Sequence, residues 1–219
     1  MGDSNATKSL KREKLILIGA GGYAKSVLDS LDHEQYEFCG LIDNFKPEGS
    51  VHLGYPILAS TIDCFSKRDN YHYFICIGNN SYRLEKFSKL QKYKCRIINV
   101  VDKTALVSKN STLGIGVFVG KMAIVNSGVT VGDNVIINTK SLVEHGCFIG
   151  SHCNISTNTT LNGDVIVEDH AFIGSSSVVN GQLRVGESAL VGSGAVVIRN
   201  VEPRTVVAGV PAKYIKDIK

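Results

Sequence analysis

The sequence predicts two domains of different kinds: a small parallel α/β unit over residues 14–100 and a parallel β-helix of six-residue repeats over 101–202. Three observations predict this. An aliphatic residue recurs every six positions from Val101 to Val197 without an insertion. A second, mostly small residue follows each of them four positions on, as at Ala105, Ala123, Ser141 and Cys153. Before residue 100, apolar runs alternate with helix-like polar stretches around one glycine-rich turn.

Residues 1–13 are polar and lysine-rich and hold no apolar run, which predicts a disordered leader and no secretory signal. Residues 14–18 read as a buried strand. They run into Gly19-Ala20-Gly21-Gly22-Tyr23-Ala24 and then a helical pattern through Leu31. Residues 38–42 read as a second strand ending at Asp43, and 73–77 as a third, followed by Gly78, Asn79 and Asn80 and a helix over 81–92. Gly19-x-Gly21-x-x-Ala24 matches the dinucleotide fingerprint, with Asp43 where a ribose-binding acid would lie. Backbone amides at the helix start can cradle a diphosphate. About 85 residues supply only one of the two mononucleotide halves of an NAD site, so a nucleotide diphosphate is expected rather than NAD.

A period of six keeps no helical face apolar, because six is not a multiple of 3.6. Short strands joined by tight corners do satisfy it. Three rungs close a triangular coil of eighteen residues, and coils stack at the ~4.8 Å strand spacing. The aliphatic and small residues point inward, so Cys147 and Cys153 are expected as core thiols, and Gly and Asn are expected at corners with positive φ. The residue before each aliphatic one faces outward. Sorted by face, these form an apolar ladder of Leu106, Ile124, Leu142, Thr160, Val178 and Val196, and a second of Phe118, Ile136, Asn154, Phe172 and Leu190. The third, Thr112, Thr130, Phe148, Ile166, Arg184 and Glu202, is mixed. Two apolar faces predict burial against other copies of the chain, and head-to-tail contacts of that kind close as a ring. A homotrimer is therefore expected. The competing reading is that the first domain covers one of the faces. Residues 203–219 read as a C-terminal tail.

Composition excludes several classes. With 43% hydrophobic and 20% charged residues the chain is not disordered. No apolar run of ~18 residues predicts a membrane span. The net charge of +4 is scattered, without the basic stripe of a nucleic-acid binder, and suits an anionic small molecule instead. Six cysteines without a CxxC pair predict free thiols, no metal site and a cytoplasmic location. The Asn-x-Ser/Thr triplets at Asn79, Asn110, Asn154 and Asn158 read as turn chemistry.

The combination resembles the NeuD/PglD-type sugar acetyltransferases over about 14–215. The resemblance is carried by the segments Gly19-Ala-Gly-Gly-Tyr-Ala24, Leu41-Ile-Asp-Asn44, Ile77-Gly-Asn-Asn-Ser-Tyr-Arg83, Val143-Glu-His-Gly-Cys-Phe-Ile-Gly150 and Val207-Ala-Gly-Val-Pro-Ala-Lys213. It implies a left-handed β-helix, acetyl-CoA as co-substrate and a nucleotide-linked amino-deoxy sugar as acceptor. It also implies His145 as general base at an intersubunit groove, with Gly163 one coil above leaving space. Glu144 and Asn138 are implied as its helpers, and Asn154, Ser175 and Ser193 along the CoA groove. Gly21, Gly22, Tyr23, Asp43, Asn44 and Asn79 are implied around the nucleotide sugar. The chain departs from the family at Gly146, where relatives carry an acid that orients the His. It departs again at Tyr23 and Asn154, where relatives often have His. A sialic-acid-type O-acetyltransferase and a non-catalytic nucleotide-sugar scaffold are the alternatives.

Overall fold

The structure is a computed structural model that describes residues 12–218. The expected leader lies outside the described residues up to residue 11, and Glu13 already belongs to the first strand. The N-terminal domain runs β1 (Glu13–Ile18), α1 (Gly22–Asp29), β2 (Tyr36–Ile42), β3 (Val51–His52), β4 (Tyr55–Ala59), β5 (His72–Ile75), α2 (Asn80–Lys92) and β6 (Arg96–Ile97). The sheet order is β3-β4-β2-β1-β5-β6, parallel except for the β3–β4 hairpin, which the sequence pattern did not reveal. The first strand is apolar because both sheet faces cover it: Leu15, Ile16 and Leu17 are fully buried.

From residue 100 the chain forms two-residue strands that pair in register with the strand eighteen residues on, as in Phe118↔Ile136↔Asn154. Three parallel sheets result, forming the three faces of a left-handed β-helix. The first face carries the Phe118 ladder, the second the Leu142 ladder and the third the Phe148 ladder. The inward aliphatic residues are buried, except near the start, where Val101 has no coil beneath it and is 40% exposed. Cys147 and Cys153 are core thiols; burial pushes Cys153 up to about 12.

The corners correct one expectation. A positive-φ residue recurs every six positions from Gly116 to Gly194, but most occupants, such as Lys140, His152 and Asp164, are not glycine. The frequent glycines that directly follow the aliphatic residues serve another purpose. A Cβ on Gly120 would stand 2.8 Å from the backbone nitrogen of Thr139, one coil up. Close stacking of coils, rather than positive φ, demands glycine there. The expected C-terminal tail contains the strands Thr205–Ala208 and Lys213–Asp217, a hairpin that extends the first face.

The N-terminal domain sits on the first face. Phe118 and Ile136 belong to the same core as Leu15, Leu17, Val27 and Phe74. This corrects the assignment of both apolar ladders to contacts between chains: the first is covered from within at Phe118, Ile136 and Asn154, which are 1%, 2% and 7% exposed. The second ladder stays open, with Leu106 65% exposed and the rest half-buried.

Arg83 of α2 fastens the two domains. It is 1% exposed and, among the described residues, has no carboxylate partner. Its guanidinium donates instead to the carbonyls of Asn134 (3.1 Å), His152 (2.8 Å) and Cys153 (3.1 Å) on the β-helix, and to Ile77 O, Gly78 O and Asn80 Oδ1 on its own domain. The rings of His152 and His170 stack beside it, 5.1 Å apart. Burial, then the His170 and Arg83 charges, push His152 down to about 4. Asn134 Nδ2 donates to its Nδ1 at 2.9 Å, a bond that requires the neutral ring. The folded value lies below the ordinary His value of ~6.5, so the stability from neutral His152 is complete above ~6.5 and lost as pH falls through about 4. The thermal midpoint should fall over that window, and His152→Asn, which tolerates the positive φ there, should show a shallower fall.

Candidate active site

A cavity of about 470 Å³ opens at the carboxyl ends of β1, β2 and β5, where a ligand is expected in an open parallel sheet. Its floor is the glycine-rich turn. Gly19 has φ +100, and a Cβ there would sit 3.0 Å from Cys76 O, so the turn closes tightly on β5. Gly21 and Gly22 face open space at the start of α1, which no side chain caps, leaving amides for an anion. Asp43 holds this turn in shape: Oδ2 accepts from Ala20 N at 2.7 Å and Oδ1 from Phe45 N at 2.8 Å.

Tyr23 lines the cavity and stacks edge-on against Phe118 at 5.3 Å. Its hydroxyl is buried and has no partner among the described residues, and burial pushes its pKa well up, so it is a neutral phenol. Asn44 also lines the cavity. Asn79 does not; it caps α2, its Oδ1 accepting from Tyr82 N at 3.0 Å. Sequence reasoning missed Phe45, Tyr82, Lys86 and Lys89. Lys86 and Lys89 line the cavity from one face of α2 together with Glu85, and both are ion-paired, Lys86 with Glu85 at 2.9 Å and Lys89 with Asp63 at 2.8 Å; their i,i+3 spacing showed only that they share a helix face.

His145 stands exposed at the corner between the second and third faces. Its ring rests on Gly163, one coil up: a Cβ there would lie 2.7 Å from Nε2 and 3.2 Å from Nδ1. The glycine gap expected to leave space above the ring is thus filled by the ring itself. A Cβ on Gly181, another coil up, would stand 3.0 Å from Gly163 O. Glu144 turns away to the coil below, where its Oε2 accepts from Asn126 Nδ2 at 2.9 Å.

The remaining expected residues lie elsewhere. Asn138, Ser175 and Ser193 occupy the corner between the first and second faces, and Asn138 Oδ1 accepts from Thr139 N. Asn154 sits beneath the N-terminal domain, donating to Gly78 O at 3.3 Å. One chain therefore does not bring these groups together. The cavity lies on the side of the first face, His145 lies at the opposite corner of the triangular coil, and the second face separates His145 from Ser175 and Ser193. Among the described residues no His, Cys, Asp and Glu cluster has metal-binding geometry, and no helix is long and apolar enough to cross a membrane.

The family model of the PglD N-terminal domain matches residues 14–90. The acetyltransferase domain of PglB from Neisseria gonorrhoeae is 28% identical, with a TM-score of 0.86 over 93% of this chain and 100% of that one. PerB from Caulobacter crescentus, solved with CoA and GDP-perosamine, is 30% identical, with a TM-score of 0.84 over 93% of this chain and 97% of that one. WeeI from Acinetobacter baumannii is 27% identical, with a TM-score of 0.79 over 93% and 100%.

Proposed function

We propose that this chain, which belongs to the NeuD/PglD-type family of sugar acetyltransferases, transfers the acetyl group of acetyl-CoA to the amine of a nucleotide-linked amino-deoxy sugar. The observation that carries the reading is the cavity over Gly21, Gly22 and Asp43 with Lys86 and Lys89 beside it, in a chain so similar to one solved with CoA and a GDP-sugar. The uncapped helix start suits a diphosphate, with Lys86 and Lys89 available to it if they exchange their Glu85 and Asp63 partners, and Asp43 and Asn44 suit the nucleoside.

The separation of groups within one chain supports a homotrimer. The open apolar second face is flanked by His145 on one side and by Ser175 and Ser193 on the other. A ring closed on that face brings one chain's His145 corner to the neighbour's Ser175 corner, beside the neighbour's cavity. In that groove the acceptor amine attacks the thioester carbonyl while His145 takes its proton. A backbone amide stabilises the tetrahedral oxyanion, which collapses with loss of the CoA thiolate. The imidazolium then returns the proton to the thiolate, releasing CoA and the N-acetyl sugar, and no acyl-enzyme forms.

The test is free-CoA release with acetyl-CoA and a panel of UDP- and GDP-linked amino-deoxy sugars, beside thermal shift with each ligand. Turnover with an amino sugar is expected. Turnover only with hydroxyl acceptors would make the chain an O-acetyltransferase. Stabilisation by a nucleotide sugar with no response to CoA would make it a binding scaffold.

A further inference from the structure

A histidine that works as a base needs its ring held in one orientation and its positive form stabilised, a task an acid performs in most such sites. Neither neighbour of His145 in the chain does this: Glu144 is tied to Asn126, and residue 146 is glycine. Gly146 has φ +70, and a Cβ added to it would run into Oδ1 of Asp164, one coil up. The Asp164 carboxylate therefore fills the volume in which a side chain at 146 would begin. Its own backbone amide donates to His145 O at 2.9 Å. It also directly follows Gly163, the residue on which the imidazole rests.

Two other aspartates reach down to the coil below, and both are structural. Asp133 Oδ1 accepts from Ile115 N at 2.9 Å, and Asp169 Oδ1 from Ser151 N at 2.8 Å. Asp164 differs. It is exposed, and among the described residues its carboxylate accepts no hydrogen bond, while neither nitrogen of the His145 ring has a partner. A free acceptor and a free donor thus share one corner of two successive coils.

We propose that Asp164 is the positioning residue of His145: by side-chain rotation its carboxylate accepts one ring N–H, leaving the other ring nitrogen as the base. It then stabilises the imidazolium formed when that nitrogen takes the substrate's proton, and the proton leaves with the CoA thiol. The inference rests on His145 being the base.

The test compares Asp164→Asn, a shape-preserving change compatible with φ +60 at that corner, with the double variant Gly146→Asp/Asp164→Gly. Asp164→Asn should lower kcat about 10–100-fold with KM values unchanged. It should also move the acidic limb of the pH profile to lower pH, because the imidazolium loses its counter-charge. The double variant moves the carboxylate to the residue after His145, with glycine freeing the space, and should recover most of the loss. An unchanged kcat in Asp164→Asn, or a loss of kcat with an unmoved acidic limb, overturns the proposal, whatever the double variant does. His145→Ala run in parallel separates the failures. If it stays active, the base itself is wrong. If it is inactive while Asp164→Asn is unaltered, only the role of Asp164 falls.

Discussion

Replacing His145 by alanine is expected to lower kcat about a thousandfold and to leave the thermal midpoint where it was. The size follows from the role: a positioned general base contributes roughly 10²–10⁴ in rate. The unchanged stability follows from the geometry. The ring is exposed at a corner, rests on Gly163 and makes no hydrogen bond within the described residues, so its removal opens no cavity in the core. The combination distinguishes chemistry from folding. Free-CoA release beside a melting curve measures both, and a variant that keeps most of its acetyl transfer would remove His145 from the mechanism.

Arg83→Met has the opposite signature, a large loss of stability. Methionine fills much of the space but donates nothing. The carbonyls of Asn134, His152 and Cys153, and the Asn80 side chain, all lose a donor in a seam closed to water. Burial pushes the Arg83 pKa only down to about 10, so the guanidinium is charged at neutral pH and its five N–H donors are all available. Removing such a group is expected to cost about 3–5 kcal/mol. For a chain of this length that lowers the melting midpoint on the order of 10 °C. Arg83→Lys should recover little, because three donors on one nitrogen do not reach acceptors spread over two domains. A midpoint within about 2 °C of the parent in Arg83→Met would mean that the seam is held by the Phe118 and Ile136 packing alone.

Much of the fold was legible because the β-helix is a one-dimensional repeat. A period of six and a coil of eighteen assign inside, outside and face to each residue, and the pairings follow them rung by rung. The first strand and both helices were legible for ordinary reasons: an apolar run, a glycine turn and a helix-like polar stretch after Gly78. The docking of the domains was not. Arg83 and Asn80 are held by backbone carbonyls at β-helix corners, and a carbonyl carries no sequence signature. For the same reason the pattern alone did not show which apolar face the first domain covers. Of the cavity's lining, the glycine turn and Asp43 were picked out by the fingerprint and Tyr23 and Asn44 by the resemblance, whereas Phe45, Tyr82, Lys86 and Lys89 line it only through the tertiary packing of α2 and the loop after β2. The spacing did contain one unread fact. Ser175 and Ser193 are not separated from His145 by multiples of eighteen, which puts them on another edge of the coil.

That separation leads to the central claim, a site shared by neighbouring chains. It is tested most directly by mixing two inactive variants. One chain carries His145→Ala and an intact cavity. The other carries Asp43→Ala, which frees the glycine turn, and an intact His145. Equal amounts are unfolded together, refolded and assayed for acetyl transfer. If each site joins one chain's cavity to the next chain's His145, random threefold mixing restores about one quarter of the parent activity per site. If both halves of the site belonged to one chain, the mixture would stay as inactive as its components.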